Sequence, residues 1–189
     1  LTTDVDGHCP ETDTATMMAY GYDPYLAKES PFHGALNAVV DSVTKIVAMG
    51  GDRKGIRLSF QEYFENLGDV PSRWGKPMSA LLGALAAQLD FEVPSVGGKD
   101  SMSGTFNDIN VPPTLVSFAV DTISADKVIS AALQQAEGDI VYFPVRRDEY
   151  GMPDVNGIKS YYKIIKNLAE NNMILAASTV EGGVAPTLV

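Results

Sequence analysis

The sequence predicts an α/β (α+β) chain built in two units, on three observations. Strand-like and helical stretches alternate along its length, residues 33–49 repeat apolar side chains at helical spacing, and near Ser124 a loop-rich order gives way to compact strand–helix–strand.

Residues 14–20 have the β-branched and aromatic content of a strand, and Gly21 and Pro24 punctuate the turn after it. In 33–49, Leu36, Val39, Val40, Val43, Ile46 and Val47 fall three and four apart, as one buried helical face requires, and Gly50 and Gly51 end the run. Residues 56–60 read as a short strand and 61–67 as a helical turn leading into the polar stretch LGDVPSRWG. A second helix is expected over 76–89, with Met78, Leu81, Leu82, Leu85 and Leu89 as its core face and Gly83, Ala84, Ala86 and Ala87 as a small-residue face for close packing.

Residues 91–96 are strand-like and run into the long polar loop GGKDSMSGTFNDINVPP, after which 114–122 form the next strand. Ser124 is placed to cap a helix over 125–135, with Val128, Ile129 and Leu133 apolar and Gly138 closing it. A strand at 140–145, a helix at 158–170 and a last strand at 173–178 complete the reading; Tyr161, Tyr162, Ile164, Ile165 and Leu168 share helical spacing in the helix. There is no internal repeat or low-complexity tract.

At 189 residues and 45% hydrophobic content, the chain has enough apolar material for one sizeable core or two smaller ones, which excludes a disordered tail. Apolar runs such as 81–89 fall short of the roughly 20 residues that a membrane-spanning helix needs. With 14 basic and 24 acidic side chains, the net charge of −10 opposes non-specific binding to nucleic acid or anionic lipid. Phosphate esters remain open to it wherever backbone N–H groups, a lysine or a metal ion are concentrated. A single cysteine, Cys9, excludes an intrachain disulfide and suits a reducing, cytoplasmic setting. It sits in a polar, loop-like stretch and reads as an incidental thiol. The start at Leu1 without a signal sequence, and the end shortly after Gly182 and Gly183, lead us to expect a piece of a longer protein with an incomplete second unit.

The most specific segment is PSVGGKDSMSG, where Gly97 and Gly98 allow backbone to approach an anion, Lys99 offers charge, and Ser101 and Ser103 offer hydroxyl donors. Its spacing is neither a Walker loop nor a Rossmann fingerprint. Composition alone leaves it open between a phosphate cradle and a solvated turn.

VGGKDSMSG resembles the signature loop in the second synthetase half of phosphoribosylformylglycinamidine synthases, and LSFQEYFENLG with RWGKPMSALLGAL resembles their long single-chain versions. Together these strings cover most of residues 24–120. The resemblance implies two tandem halves, each with an amino-terminal and a carboxy-terminal α/β domain like those of the aminoimidazole ribonucleotide synthetase superfamily. This chain would be an internal fragment of the second half, with residues 1–123 its amino-terminal domain and 124–189 a partial carboxy-terminal one.

The activity implied for the complete protein is ATP- and glutamine-dependent conversion of formylglycinamide ribonucleotide to the amidine. Here Gly97, Gly98, Lys99, Asp100, Ser101 and Ser103 would bind the ribonucleotide, Lys45 would lie in a nucleotide pocket, and Asp13, Asp41 and Glu181 would hold magnesium on the phosphates of ATP or ADP. Related sequences often place an asparagine ligand where Lys45 stands, and a lysine there can replace the metal's charge. The first synthetase half and the glutaminase domain would be partners on the same polypeptide. No catalytic residue is expected here: Cys9 matches no family nucleophile, and His8 and His33 read as structural or solvated. Strands meant to complete a barrel with the other half would promote self-association of the fragment. Two alternatives stand beside this reading. One is another member of the superfamily, against which the KDSMS and FQEYF strings argue; the other is a non-catalytic scaffold with a degenerate nucleotide pocket, which Lys45 favours.

Overall fold

A computed structural model describes residues 12–133 and 137–187, so the expectations for His8 and Cys9 lie outside the described residues. The first strand, β1 (Thr14–Gly21), is followed by a short helix, α1 (Pro24–Glu29), that the turn reading of Gly21 and Pro24 missed. The Asp23 side chain caps α1 by accepting from the Tyr25 and Leu26 N–H groups. Helix α2 (Pro31–Ala48) follows, with Pro31 at its first position and Ser30 Oγ accepting from the His33 N–H. Its expected apolar face is the centre of the core: Leu36, Val39, Val43, Ile46 and Val47 are buried.

Strand β2 (Arg57–Tyr63) overruns the helical turn expected at 61–67. Its burial alternates, with Leu58, Phe60 and Glu62 inward and Arg57 and Tyr63 outward, a period of two that a helix cannot have. Helix α3 (Pro71–Phe91) connects β2 to the parallel strand β3 (Ser95–Lys99), a βαβ crossover. Glu92 takes the left-handed conformation (φ 55°) at the end of α3, so β3 begins later than the strand expected at 91–96.

The long loop contains a small hairpin, β4 (Thr105–Phe106) and β5 (Ile109–Asn110), before β6 (Thr114–Ser124). The main sheet runs β1-β6-β2-β3, antiparallel except for the β2–β3 pair at its edge. Helices α2 and α3 cover one face of it, and the other face presents Met18, Tyr20, Tyr63 and Val120 outward.

The face by which α3 packs corrects the sequence reading. Ala80, Ala84, Ala87 and Phe91 are buried, whereas Met78, Leu81, Leu82, Leu85 and Leu89 are exposed. Close approach to the start of α2 decides this: a Cβ on Gly83 would stand 2.0 Å from the Phe32 carbonyl oxygen, so only the small-residue face fits there.

Beyond Ser124 the expected strand–helix–strand is largely absent. The helix placed at 125–135 is a single 3₁₀ turn (Ala125–Lys127), after which no helix continues to residue 133. Ser124 Oγ donates to Asp126 Oδ1 (2.6 Å) instead of capping a backbone N–H, and the Ile129 N–H bonds to the Met49 carbonyl, laying the chain along the end of α2. Residues 140–145 and 173–178 form no strand, because no other strand lies beside them among the described residues.

The helix expected at 158–170 is present as α4 (Val155–Glu170), capped by Asp154, and a four-residue helix, α5 (Val184–Thr187), follows. Ile158 and Tyr162 of α4 join the same core as α2 and β2. The Tyr162 hydroxyl lies 2.6 Å from Thr44 Oγ1, and burial pushes its phenol pKa up. No helix among the described residues is long and apolar enough to cross a membrane.

Candidate functional site

The GGKDSMS segment is built on the sheet edge. Gly97 and Gly98 lie in β3 itself, with Phe60 paired to Gly98 and Gln61 to Lys99, and not in the exposed turn expected of them. Gly98 is demanded by this pairing: a Cβ there would come 2.3 Å from the Phe60 carbonyl oxygen. Gly97 has open space around it but a φ of +151°. The Lys99 ammonium lies over the Tyr63 ring, 4.5 Å from its centroid, on the face of the sheet away from the helices.

Past Lys99, three backbone bonds tie the loop to the end of β2: Ser101 N to Glu62 O (3.0 Å), Phe64 N to Ser101 O (2.8 Å) and Gly104 N to Phe64 O (2.9 Å). A free polar turn would lack such a scaffold. The Ser101 and Ser103 hydroxyls lie 3.2 Å apart, and Asp100 is exposed beside them. A shallow hollow of about 460 Å³ continues from Ser103 over the β4–β5 hairpin, lined by Phe106, Ile109 and Val111 among others.

Two carboxylates here were missed in the sequence. Glu62 is buried, and burial followed by the Asp100 charge pushes its carboxyl above the usual range. Glu65 is buried between Arg73 Nε (3.3 Å) and the Lys76 ammonium, which anchors the start of α3 beside the loop. The alternation Leu58, Phe60, Glu62 is the signal that would have found the first, had residues 61–67 been read as strand.

The second locus gathers two of the three expected metal ligands around Lys45. Its Nζ donates to Asp41 Oδ2 (2.8 Å), Glu181 Oε1 (2.6 Å) and the Tyr20 carbonyl oxygen (2.9 Å). An ammonium has three N–H donors, and here each has an acceptor. Burial raises the Asp41 carboxyl pKa; Lys45 pulls it back in part, and Glu181 adds to the rise. For Lys45, burial works to lower the pKa, but the bonds to Asp41 and Glu181 outweigh it and the net shift is upward.

The Asp13 side chain is exposed and does not join this cluster; among the described residues its backbone carbonyl accepts from the Ala125 N–H. Among the described residues no group of three His, Cys, Asp or Glu side chains can hold a metal ion. The arrangement does not fit a divalent cation, because the two carboxylates that meet are already bridged by an ammonium.

No protein-family model matches the chain, and no curated protein does either. Solved structures do match. The architecture, a mixed α/β arrangement of one sheet and its helices, is shared with solved synthases. Phosphoribosylformylglycinamidine synthase II from Thermotoga maritima superposes with a TM-score of 0.63 at 18% identity, over 85% of this chain and 25% of that one. The T. maritima PurL complexed with FGAR gives 0.64 at 18% identity over 85% and 24% of the two chains, and the one complexed with ATP gives 0.63 at 18% over 86% and 26%. The chain thus has the fold of part of these proteins and spans about a quarter of their length.

Proposed function

We propose that this chain is part of a phosphoribosylformylglycinamidine synthase, in which it supplies a loop for the phosphate of formylglycinamide ribonucleotide and the sheet face of a barrel shared with another synthetase half. The observation that carries the reading is the loop itself. Lys99 stands on Tyr63 with no carboxylate partner among the described residues, next to two hydroxyls on a backbone held by three hydrogen bonds. A cation and two hydroxyl donors on a rigid edge suit a phosphate monoester. The fold shared with a PurL structure complexed with FGAR supports the same substrate class.

In the complete reaction ATP phosphorylates the amide oxygen of the ribonucleotide, and ammonia from glutamine displaces phosphate to give the amidine. This chain's residues position the substrate by its phosphate and do not touch the reacting amide. The outward sheet face with Met18, Tyr20, Tyr63 and Val120 is the surface that another half covers. The purified chain is accordingly expected to show no glutamine- or ammonia-dependent ATP turnover.

A second reading concerns the nucleotide pocket, and Lys45 favours it. An ammonium bound by Asp41, Glu181 and the Tyr20 carbonyl has no N–H left for a phosphate, and the three side chains together carry one net negative charge. That locus acts as a structural clasp, the degenerate-pocket alternative. Calorimetry separates the two readings: the ribonucleotide binds, whereas ADP with or without magnesium does not. In the complete synthase, Lys99→Ala raises the Michaelis constant for the ribonucleotide about ten- to a hundredfold, the scale of one charge-assisted contact. The constant for glutamine stays unchanged. An unaltered constant for the ribonucleotide would return the loop to a solvated turn.

A further inference from the structure

The exposed face of α3 is an apolar feature that the proposed function leaves unused. Trp74, Met78, Leu81, Leu82, Leu85 and Leu89 are 46 to 70% exposed, on the side of the helix turned away from the buried Ala80, Ala84 and Ala87. They form two rows at four-residue spacing, Trp74–Met78–Leu82 and Leu81–Leu85–Leu89, with a groove between. No charged residue occurs from Pro77 to Leu89.

From the area, the charge and the row geometry, we propose that this face binds a second copy of the chain, with two α3 helices crossing antiparallel about a twofold axis near Leu81 and Leu82. Taking about 200 Å² for a fully exposed large apolar side chain, the six residues present on the order of 650 Å² per copy. That is just above the roughly 300–600 Å² of the largest patch on a typical monomer, and approaches the roughly 800 Å² per partner of a specific interface.

The occupant follows from charge and shape. Two copies each carrying a net charge of −10 repel one another in general, so they meet best where a face carries no charge. Rows at four-residue spacing on one helix fit the groove between the same rows on another, and a twofold axis makes the surface its own complement. In that arrangement Trp74 of one copy lies toward Leu89 of the other. The outward sheet face, already assigned to a synthetase half, is a separate surface on the opposite side of the helix layer.

Sedimentation equilibrium of the 189-residue chain over about 1 to 100 µM tests this. The chain is expected to dimerise in that range, more tightly as salt screens the general repulsion. Leu82→Glu with Leu85→Glu raises the dimer dissociation constant at least tenfold. Both positions are exposed, so the circular dichroism spectrum stays that of the parent. Met18→Glu, carried as a background that blocks the association expected of the open sheet face, leaves the α3 constant unchanged. With Cys9→Ser as background, Leu81→Cys cross-links two copies under mild oxidation. A strictly monomeric parent, a dimer that survives the α3 double substitution, or one that only Met18→Glu dissolves would overturn the proposal. A dimer without the Leu81→Cys cross-link would do the same.

Discussion

Lys45 and Lys99 are both lysines that the sequence assigned to phosphate chemistry, and each lies over a tyrosine ring, Tyr20 and Tyr63 respectively, yet their acceptors differ. Lys45 is enclosed by two carboxylates and a carbonyl, while Lys99 has no carboxylate partner among the described residues. Under the proposed function, the same side chain is a clasp where its donors are consumed within the fold and a ligand group where they are not. Charge and position in the sequence do not separate the two cases; the count of acceptors around each ammonium does.

The comparison breaks most sharply if the edge that carries Lys99 is removed. Gly98→Val drives a branched side chain against the Phe60 carbonyl and is expected to cost about 3 kcal/mol or more, or to abolish folding, in urea denaturation. Gly97→Ala meets no atom but keeps a φ of +151°, and should cost about 1 to 2 kcal/mol. The two glycines thus serve different backbone needs, neither of them a turn.

Lys45→Ala probes the other side at a smaller scale. Removing a part-exposed ion pair should cost about 1 kcal/mol. It also takes away the one influence that lowers the Asp41 pKa, leaving burial and Glu181, so the carboxyl titrates still higher by carbon-detected NMR. A carboxyl raised in the folded state binds protons that the unfolded chain has lost. Stability therefore falls as pH rises from the unfolded value of 3.8 to the folded one, and Lys45→Ala widens that window upward. An Asp41 titration unmoved by the substitution would show that Lys45 does not hold it. Lys99→Ala, by contrast, should leave stability within about 1 kcal/mol of the parent, since it loses only an exposed cation–π contact.

Helix α2 was legible in the sequence because every apolar residue in its repeat points at one core. Helix α3 was legible as a helix but not in its facing. Leucines and methionine look like core by type, and only the approach of the Phe32 backbone to Gly83 makes the alanine face the inner one. Residues 140–145 and 173–178 have strand composition, but a strand needs a neighbour, and pairing partners are not written in a local window. At the candidate site the residue types of GGKDSMS were readable. Two features were not: the glycines' place inside β3, and the burial of Glu62 and Glu65, both of which depend on β2 running on to Tyr63. The meeting of Asp41 with Glu181 through Lys45 spans most of the chain, and only the folded backbone brings it about.

The claim that one lysine is a ligand group and the other a clasp is tested most directly by an amide NMR titration of the chain with formylglycinamide ribonucleotide. Saturable shifts at Gly97, Gly98, Lys99, Ser101 and Ser103, lost in Lys99→Ala, with the amides around Tyr20, Asp41 and Lys45 unmoved, are the predicted result. Shifts centred on Lys45, or a loop that does not respond at all, would contradict it.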